Sequence, residues 1–113
     1  GKAVGCHHIS AIKSGNARII QVVKKANKKQ IYEARIEILD KRFKTWVTKE
    51  NTSTFFPDNW TKEKVTKEIL AAFNSPGKNS RGNKWESLSP SGLKIGGYVD
   101  DSGKISTAYP IYQ

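Results

Sequence analysis

Two adjacent histidines, His7 and His8 in Gly5-Cys6-His7-His8, are the only imidazoles of a 113-residue chain with formal charge +10. Imidazole is the side chain whose unperturbed pKa lets it take or give a proton near neutrality. Twenty Lys and Arg against ten Asp and Glu form the electrostatic footprint of a domain that holds polyanions. Together these features point to RNA chemistry. RNA can be cut without a metal because its own 2′-hydroxyl is a nucleophile beside the scissile phosphate. The protein must supply a base for that hydroxyl, an acid for the departing 5′-oxygen, and cationic donors for the growing negative charge. His7 or His8 suits the proton transfers, and a lysine suits the charge.

Adjacency limits the pair. Neighbouring side chains point about 100° apart on a helix and to opposite faces on a strand. One histidine is therefore expected in a cleft while the other packs or lies on the surface. Two neighbouring histidines without a third ligand match none of the usual zinc spacings, so no metal and no cofactor are expected. Cys6, the one cysteine, excludes an internal disulfide and reads as a small residue packed beside the histidines. No nucleophile elbow supports a serine hydrolase. Gly96-Gly97 falls within an expected strand and is not a phosphate loop.

Several elements must position these groups. A short helix is expected over Cys6 to Lys13, ending at Ser14-Gly15-Asn16 with a glycine cap. Ala17 to Val23 reads as a strand and Lys24 to Gln30 as a charged turn. Ile31 to Leu39 alternates, with Tyr32, Ala34, Ile36 and Ile38 on one face of a half-buried antiparallel strand. Phe43 to Lys49 returns as its hairpin partner after a turn at Asp40-Lys41. Glu50 to Asn59 reads as a loop. A helix follows over Thr61 to Phe73, capped by Asn59 or Thr61, with Val65, Ile69, Ala72 and Phe73 inward. Lys62, Glu63, Lys64, Lys67 and Glu68 are expected on its solvated face. Lys78 to Gly82 reads as a basic mobile loop, and strands are expected over Asn83 to Leu88, Leu93 to Val99 and Lys104 to Tyr109. The class is α+β, in a single domain spanning residues 1–113.

No apolar run reaches the length of a membrane-spanning helix, and the start lacks a signal-peptide core. The chain contains no Met, so it is expected to be a piece of something longer.

Segments spread along the chain resemble bacterial EndoU ribonuclease toxin domains. They are Gly5-Cys6-His7, Gly15-Asn16-Ala17-Arg18-Ile19, Trp46-Val47-Thr48-Lys49, Ser53-Thr54-Phe55-Phe56-Pro57-Asp58-Asn59-Trp60, Gly82-Asn83-Lys84-Trp85 and Pro90-Ser91-Gly92-Leu93-Lys94-Ile95-Gly96-Gly97-Tyr98. Ser106-Thr107-Ala108-Tyr109-Pro110 matches the family's closing Thr-x-Tyr-Pro element. The resemblance implies two packed antiparallel sheets with flanking helices, the EndoU-like fold grouped with the barnase, colicin and RelE type. It implies a metal-independent endoribonuclease that cuts RNA, tRNA above all, by 2′-hydroxyl transesterification to a 2′,3′-cyclic phosphate. It also implies the C-terminal toxin domain of a large secreted protein, of the contact-dependent inhibition kind, delivered to the cytoplasm of a target bacterium. There a cognate acidic immunity protein would neutralise it.

Carried over residue by residue, His7 matches the glycine-preceded histidine and would transfer the proton. Lys49 is the first choice for the phosphate-facing lysine and Lys84 the second. Thr107 and Tyr109, two apart on one strand, face the same side and would contact a base and the ribose. Ser53 and Thr54 would add donors, and Lys78, Arg81, Lys84 and the runs Lys24-Lys25 and Lys28-Lys29 would attract phosphates. Much of the family supplies a second histidine before the glycine-preceded one, and only Gly1 to Val4 precede that glycine here. His8, Lys13 or Tyr109 could fill the second proton-transfer role. Two rival classes are a non-catalytic RNA-binding module on the same scaffold and a membrane-surface toxin. The lack of a strongly amphipathic basic helix speaks against the latter.

Overall fold

Residues 7–112 are described by the structure, a computed structural model, and form two antiparallel four-stranded sheets with two helices. Cys6 and its expected place at the head of the first helix lie outside the described residues. Helix α1 covers Ile9–Lys13, with His8 as its N-cap. It ends where Gly15, at φ +82°, turns the chain and donates its N–H to the Ile12 carbonyl at 3.1 Å. That left-handed geometry is the one glycine adopts at no steric cost.

Strands β1 (Ala17–Lys24) and β2 (Tyr32–Asp40) pair along their length, and β3 (Thr45–Thr48) joins the far half of β2. The loop expected over 50–59 contains a further strand, β4 (Ser53–Phe55), which pairs with Tyr32, Glu33 and Ala34. Glu33 and Ala34 bond β1 on one side and β4 on the other, so β4 shares the β3 edge. The alternation of β2 holds for Tyr32, Ala34 and Ile36, which pack with Phe55 into a small core capped by Ile12 and Ile19. Ile38 departs from it and is exposed, because among the described residues no element covers that end of the sheet.

Helix α2 (Lys62–Phe73) begins where the Thr61 hydroxyl accepts the Lys64 N–H at 3.0 Å, which settles its cap on Thr61. Val65, Ile69 and Ala72 point inward at helical spacing, and each of the larger two contributes roughly 2 kcal/mol by leaving water. Glu68 departs from the expected solvated face. It is buried, and its carboxylate accepts the Ser91 N–H at 2.9 Å, because the turn at Ser89–Gly92 folds over that flank of the helix.

The second sheet runs β5 (Asn79–Arg81), β6 (Lys84–Leu88), β7 (Lys94–Val99) and β8 (Ile105–Pro110) as a meander. Here too the sequence expectation is corrected: the segment read as a mobile loop over 78–82 pairs as a strand with β6. Trp85, Ile95 and Ala108 face α2 and form the main core with Ile31, Phe56, Leu93 and the helix's apolar stripe. Gly97 sits between Trp85 and Ala108 in register, and a Cβ there would lie 2.1 Å from the Thr107 carbonyl oxygen. Only glycine permits that approach. The two sheets touch where β4 meets β8.

Candidate active site

At that junction lies a cleft of about 360 Å³ lined by His7, Lys49, Asn51, Thr52, Thr54, Tyr98, Thr107 and Tyr109. The side chains arrive from both sheets and from the segment before α1. His7 precedes α1 and is tied by two bonds to β4 and the residue that follows it. Its carbonyl accepts the Phe56 N–H at 2.7 Å, and its Nδ1 donates to the Thr54 carbonyl at 2.8 Å. A carbonyl can only accept, so Nδ1 carries the proton and the neutral ring keeps its lone pair on Nε2. Among the described residues nothing bonds Nε2. His7 is 9% exposed. Burial lowers its pKa from 6.5 to about 4; the Thr54 hydrogen bond opposes this drop and the Lys49 charge adds to it.

Lys49 follows β3, its backbone N–H held by the Ile36 carbonyl at 3.0 Å. Its ammonium donates to the Ser53 hydroxyl at 2.7 Å. Ser53 is 1% exposed, so it holds the lysine from beneath and does not line the cleft. Thr54 lines the cleft and lends its carbonyl to His7.

Thr107 and Tyr109 project from the same face of β8 into the cleft. The Tyr109 ring lies over Gly96, its cross-strand partner, where a Cβ would come within 3.2 Å of the ring. That contact assigns Gly96 a purpose: it makes room for the ring, 5.8 Å from His7 centroid to centroid. Burial raises the Tyr109 pKa; the Lys84 charge works against this, while Tyr98 and Glu86 reinforce it. The hydroxyl therefore stays protonated at neutral pH.

His8 is placed elsewhere. It is 3% exposed, its Nε2 donates to the Trp60 carbonyl at 2.8 Å, and its Nδ1 accepts from the Ser10 hydroxyl at 3.0 Å. Nδ1 caps the first turn of α1, and Nε2 holds that end of the helix against the chain entering α2. Lys13, the other candidate for the second proton, sits in the last turn of α1 and is not among the cleft's lining residues. Arg81 and Lys84 line a neighbouring depression with Asn79, Ser80, Trp85 and Glu86. Lys78 lies apart, its ammonium 3.7 Å from the Phe73 ring centroid. In the basic runs, Lys24 faces Glu33 at 4.0 Å and Lys29 donates to the Gly92 carbonyl at 2.9 Å. Lys28 and Lys29 border a separate hollow beside Trp60. Among the described residues no three His, Cys, Asp or Glu side chains group to hold a metal.

Sequence reasoning missed Asn51, Thr52 and Tyr98. The first two sit in the segment read as a plain loop. Tyr98 carried a usable signal, since it is two residues from Gly96 and so shares the Tyr109-bearing face.

A strongly basic α+β domain with a buried neutral imidazole, a lysine and two tyrosines around one cleft has the make-up of a nuclease. The chain belongs to the bacterial EndoU nuclease family, whose pattern matches residues 1–112. A Bacillus cereus protein named "Toxin" is 32% identical over 111 residues, which are 97% of this chain and 19% of that protein. The chain thus spans about a fifth of the length of that curated relative. No solved structure matches it.

Proposed function

We propose that this domain is a metal-independent endoribonuclease that acts as the toxic part of a larger protein. The observation that carries this reading is the His7 imidazole, fixed in one tautomer by Thr54 inside a cleft it shares with Lys49, Thr107 and Tyr109. A neutral ring with a free Nε2 is a base. It takes the proton of a ribose 2′-hydroxyl, whose oxygen attacks the adjacent phosphorus; the bond to the 5′-oxygen breaks, leaving a 2′,3′-cyclic phosphate. The Lys49 ammonium, steadied by Ser53, stands where charge grows on the phosphate oxygens. The departing 5′-oxygen needs a proton, and no second imidazole of the described residues lines the cleft. We assign that proton to the Lys49 ammonium or the Tyr109 hydroxyl, two of the donors that line the cleft. Thr107 supplies a hydrogen-bonding group for a base.

The family and the name of the Bacillus cereus relative support a nuclease toxin. We assign it tRNA as target, delivery into the cytoplasm of a competing bacterium, and an acidic immunity protein attracted by the charge of +10. Incubating tRNA with the parent and with His7→Ala in EDTA tests this. The parent should leave 5′-hydroxyl and cyclic-phosphate ends, and the variant should lose on the order of 10²–10⁴ in rate. Equal cleavage would remove His7 from the mechanism. No cleavage by the parent would favour a binding module, and 5′-phosphate ends would refute transesterification.

A further inference from the structure

Helix α1 is too short to place His7 by itself. Its five residues fall well below the length at which a helix is stable alone, and none of its side chains is fully buried. What holds its head is the stretch from Thr54 to Trp60, which meets the His7–His8 pair at three points. The Thr54 carbonyl accepts from His7 Nδ1 at 2.8 Å, and the Phe56 N–H donates to the His7 carbonyl at 2.7 Å. The Trp60 carbonyl accepts from His8 Nε2 at 2.8 Å. The Phe56 and Trp60 rings stack 6.0 Å apart, with their planes 24° from parallel, and so keep the last two points in place. Two of the three bonds act on His7 directly. The third acts only through its neighbour.

The partners fix the protons of both rings. A carbonyl only accepts, so His8 carries its proton on Nε2 and leaves Nδ1 bare. That bare nitrogen faces the Ser10 N–H at 3.3 Å and the Ser10 hydroxyl at 3.0 Å, and fills the N-cap place usually given to a side-chain oxygen. His7 is the reverse, with its proton on Nδ1. Adjacent imidazoles are thus held in opposite tautomers, each set by a carbonyl of the same stretch. The extended backbone at His8, φ −146° and ψ 150°, sends the two rings to opposite sides. Both His8 nitrogens are engaged within the protein, and the ring is 3% exposed, so it has none to offer a substrate.

We propose that His8 is a positioning residue for His7: the bridge from Ser10 through the His8 imidazole to the Trp60 carbonyl fixes the backbone from which His7 enters the cleft. This rests on the reading of His7 as the base. Without the bridge the head of α1 swings about the two remaining bonds, and a displacement of about 1 Å at a proton-transferring group costs on the order of 10²-fold in rate. The same swing lets water reach the His7 ring, whose low pKa is due first to burial.

His8→Asn isolates the bridge. Asparagine still caps α1 with its side-chain oxygen, but its shorter side chain does not reach the Trp60 carbonyl. The kcat for tRNA cleavage should fall about 10²-fold with KM within about twofold of the parent. The His7 midpoint, followed by NMR, should climb from about 4 toward 6.5. His8→Gln, whose longer amide can donate to that carbonyl, should recover part of both. Long-range proton–nitrogen spectra of the parent at pH 8 should place the proton on Nδ1 of His7 and on Nε2 of His8. That measurement needs no variant, so it decides the matter even where a substitution unfolds the domain. The proposal is overturned if the two rings share a tautomer, or if His8→Asn loses urea stability but keeps the parent's rate and His7 midpoint. It also fails if both His8 variants lose cleavage as fully as His7→Ala while the His7 midpoint stays put, for His8 then transfers a proton itself. A raised midpoint in His8→Asn, with no cleavage by the parent, keeps the bridge and refutes the ribonuclease. Cleavage by the parent, with rate and midpoint unmoved in His8→Asn, does the reverse.

Discussion

Holding an imidazole neutral inside the protein has a measurable cost in stability. The unfolded chain protonates His7 at about the ordinary 6.5, whereas the fold keeps it neutral down to about 4. Unfolding therefore takes up a proton between these values, and stability falls as the pH falls through that window. Above it both states are neutral and the effect vanishes; below it the whole loss is present. At about 1.4 kcal/mol per tenfold change in proton affinity, the interval corresponds to about 3 kcal/mol. His7→Gln removes the titrating group and keeps an amide able to donate to the Thr54 carbonyl. Urea denaturation of both proteins at pH 7 and at pH 4 isolates the effect, because the carboxylates titrate alike in each. The parent should lose about 3 kcal/mol more than the variant on going to pH 4. The imidazole resonances of His7, followed by NMR, should move with a midpoint near 4. An equal acid loss in both proteins, or a midpoint at 6.5 or higher, would refute the buried neutral base.

Two further substitutions probe the surroundings of the cleft. Lys49→Met removes the charge that helps depress His7, so the His7 midpoint should rise while RNA cleavage falls by about 10²–10³; an unmoved midpoint with full cleavage would separate the lysine from the site. Gly97→Ala drives a methyl group into the Thr107 carbonyl, and should cost about 3 kcal/mol in urea denaturation; an unchanged midpoint would show that β7 and β8 can part without penalty.

Much of the fold was legible because its signals are local. The stripe Val65, Ile69 and Ala72 marks α2, and the alternation Tyr32, Ala34, Ile36 marks β2. The turns at Gly92 and Gly103 fall at φ +85° and +84°, where glycine is needed. Strands β4 and β5 escaped because three residues carry no period; each is a strand only through the partner it meets. Glu68 looked solvated on the helix alone, and the turn that covers it lies 23 positions away in sequence.

The site divides along the same line. The sequence by itself determined the chemistry on offer: two imidazoles, a charge of +10, and Thr107 and Tyr109 bound to share a strand face. It could also say that adjacent histidines would part company. Only the tertiary structure decided which one lines the cleft, because the choice rests on bonds from His7 to Thr54 and from His8 to Trp60 across 47 and 52 positions. It likewise placed Lys49, and not Lys84, beside the imidazole, and set the proton on Nδ1. Burial and proximity are properties of the packed chain, and a pKa of about 4 cannot be read from a residue that has ordinary neighbours in sequence.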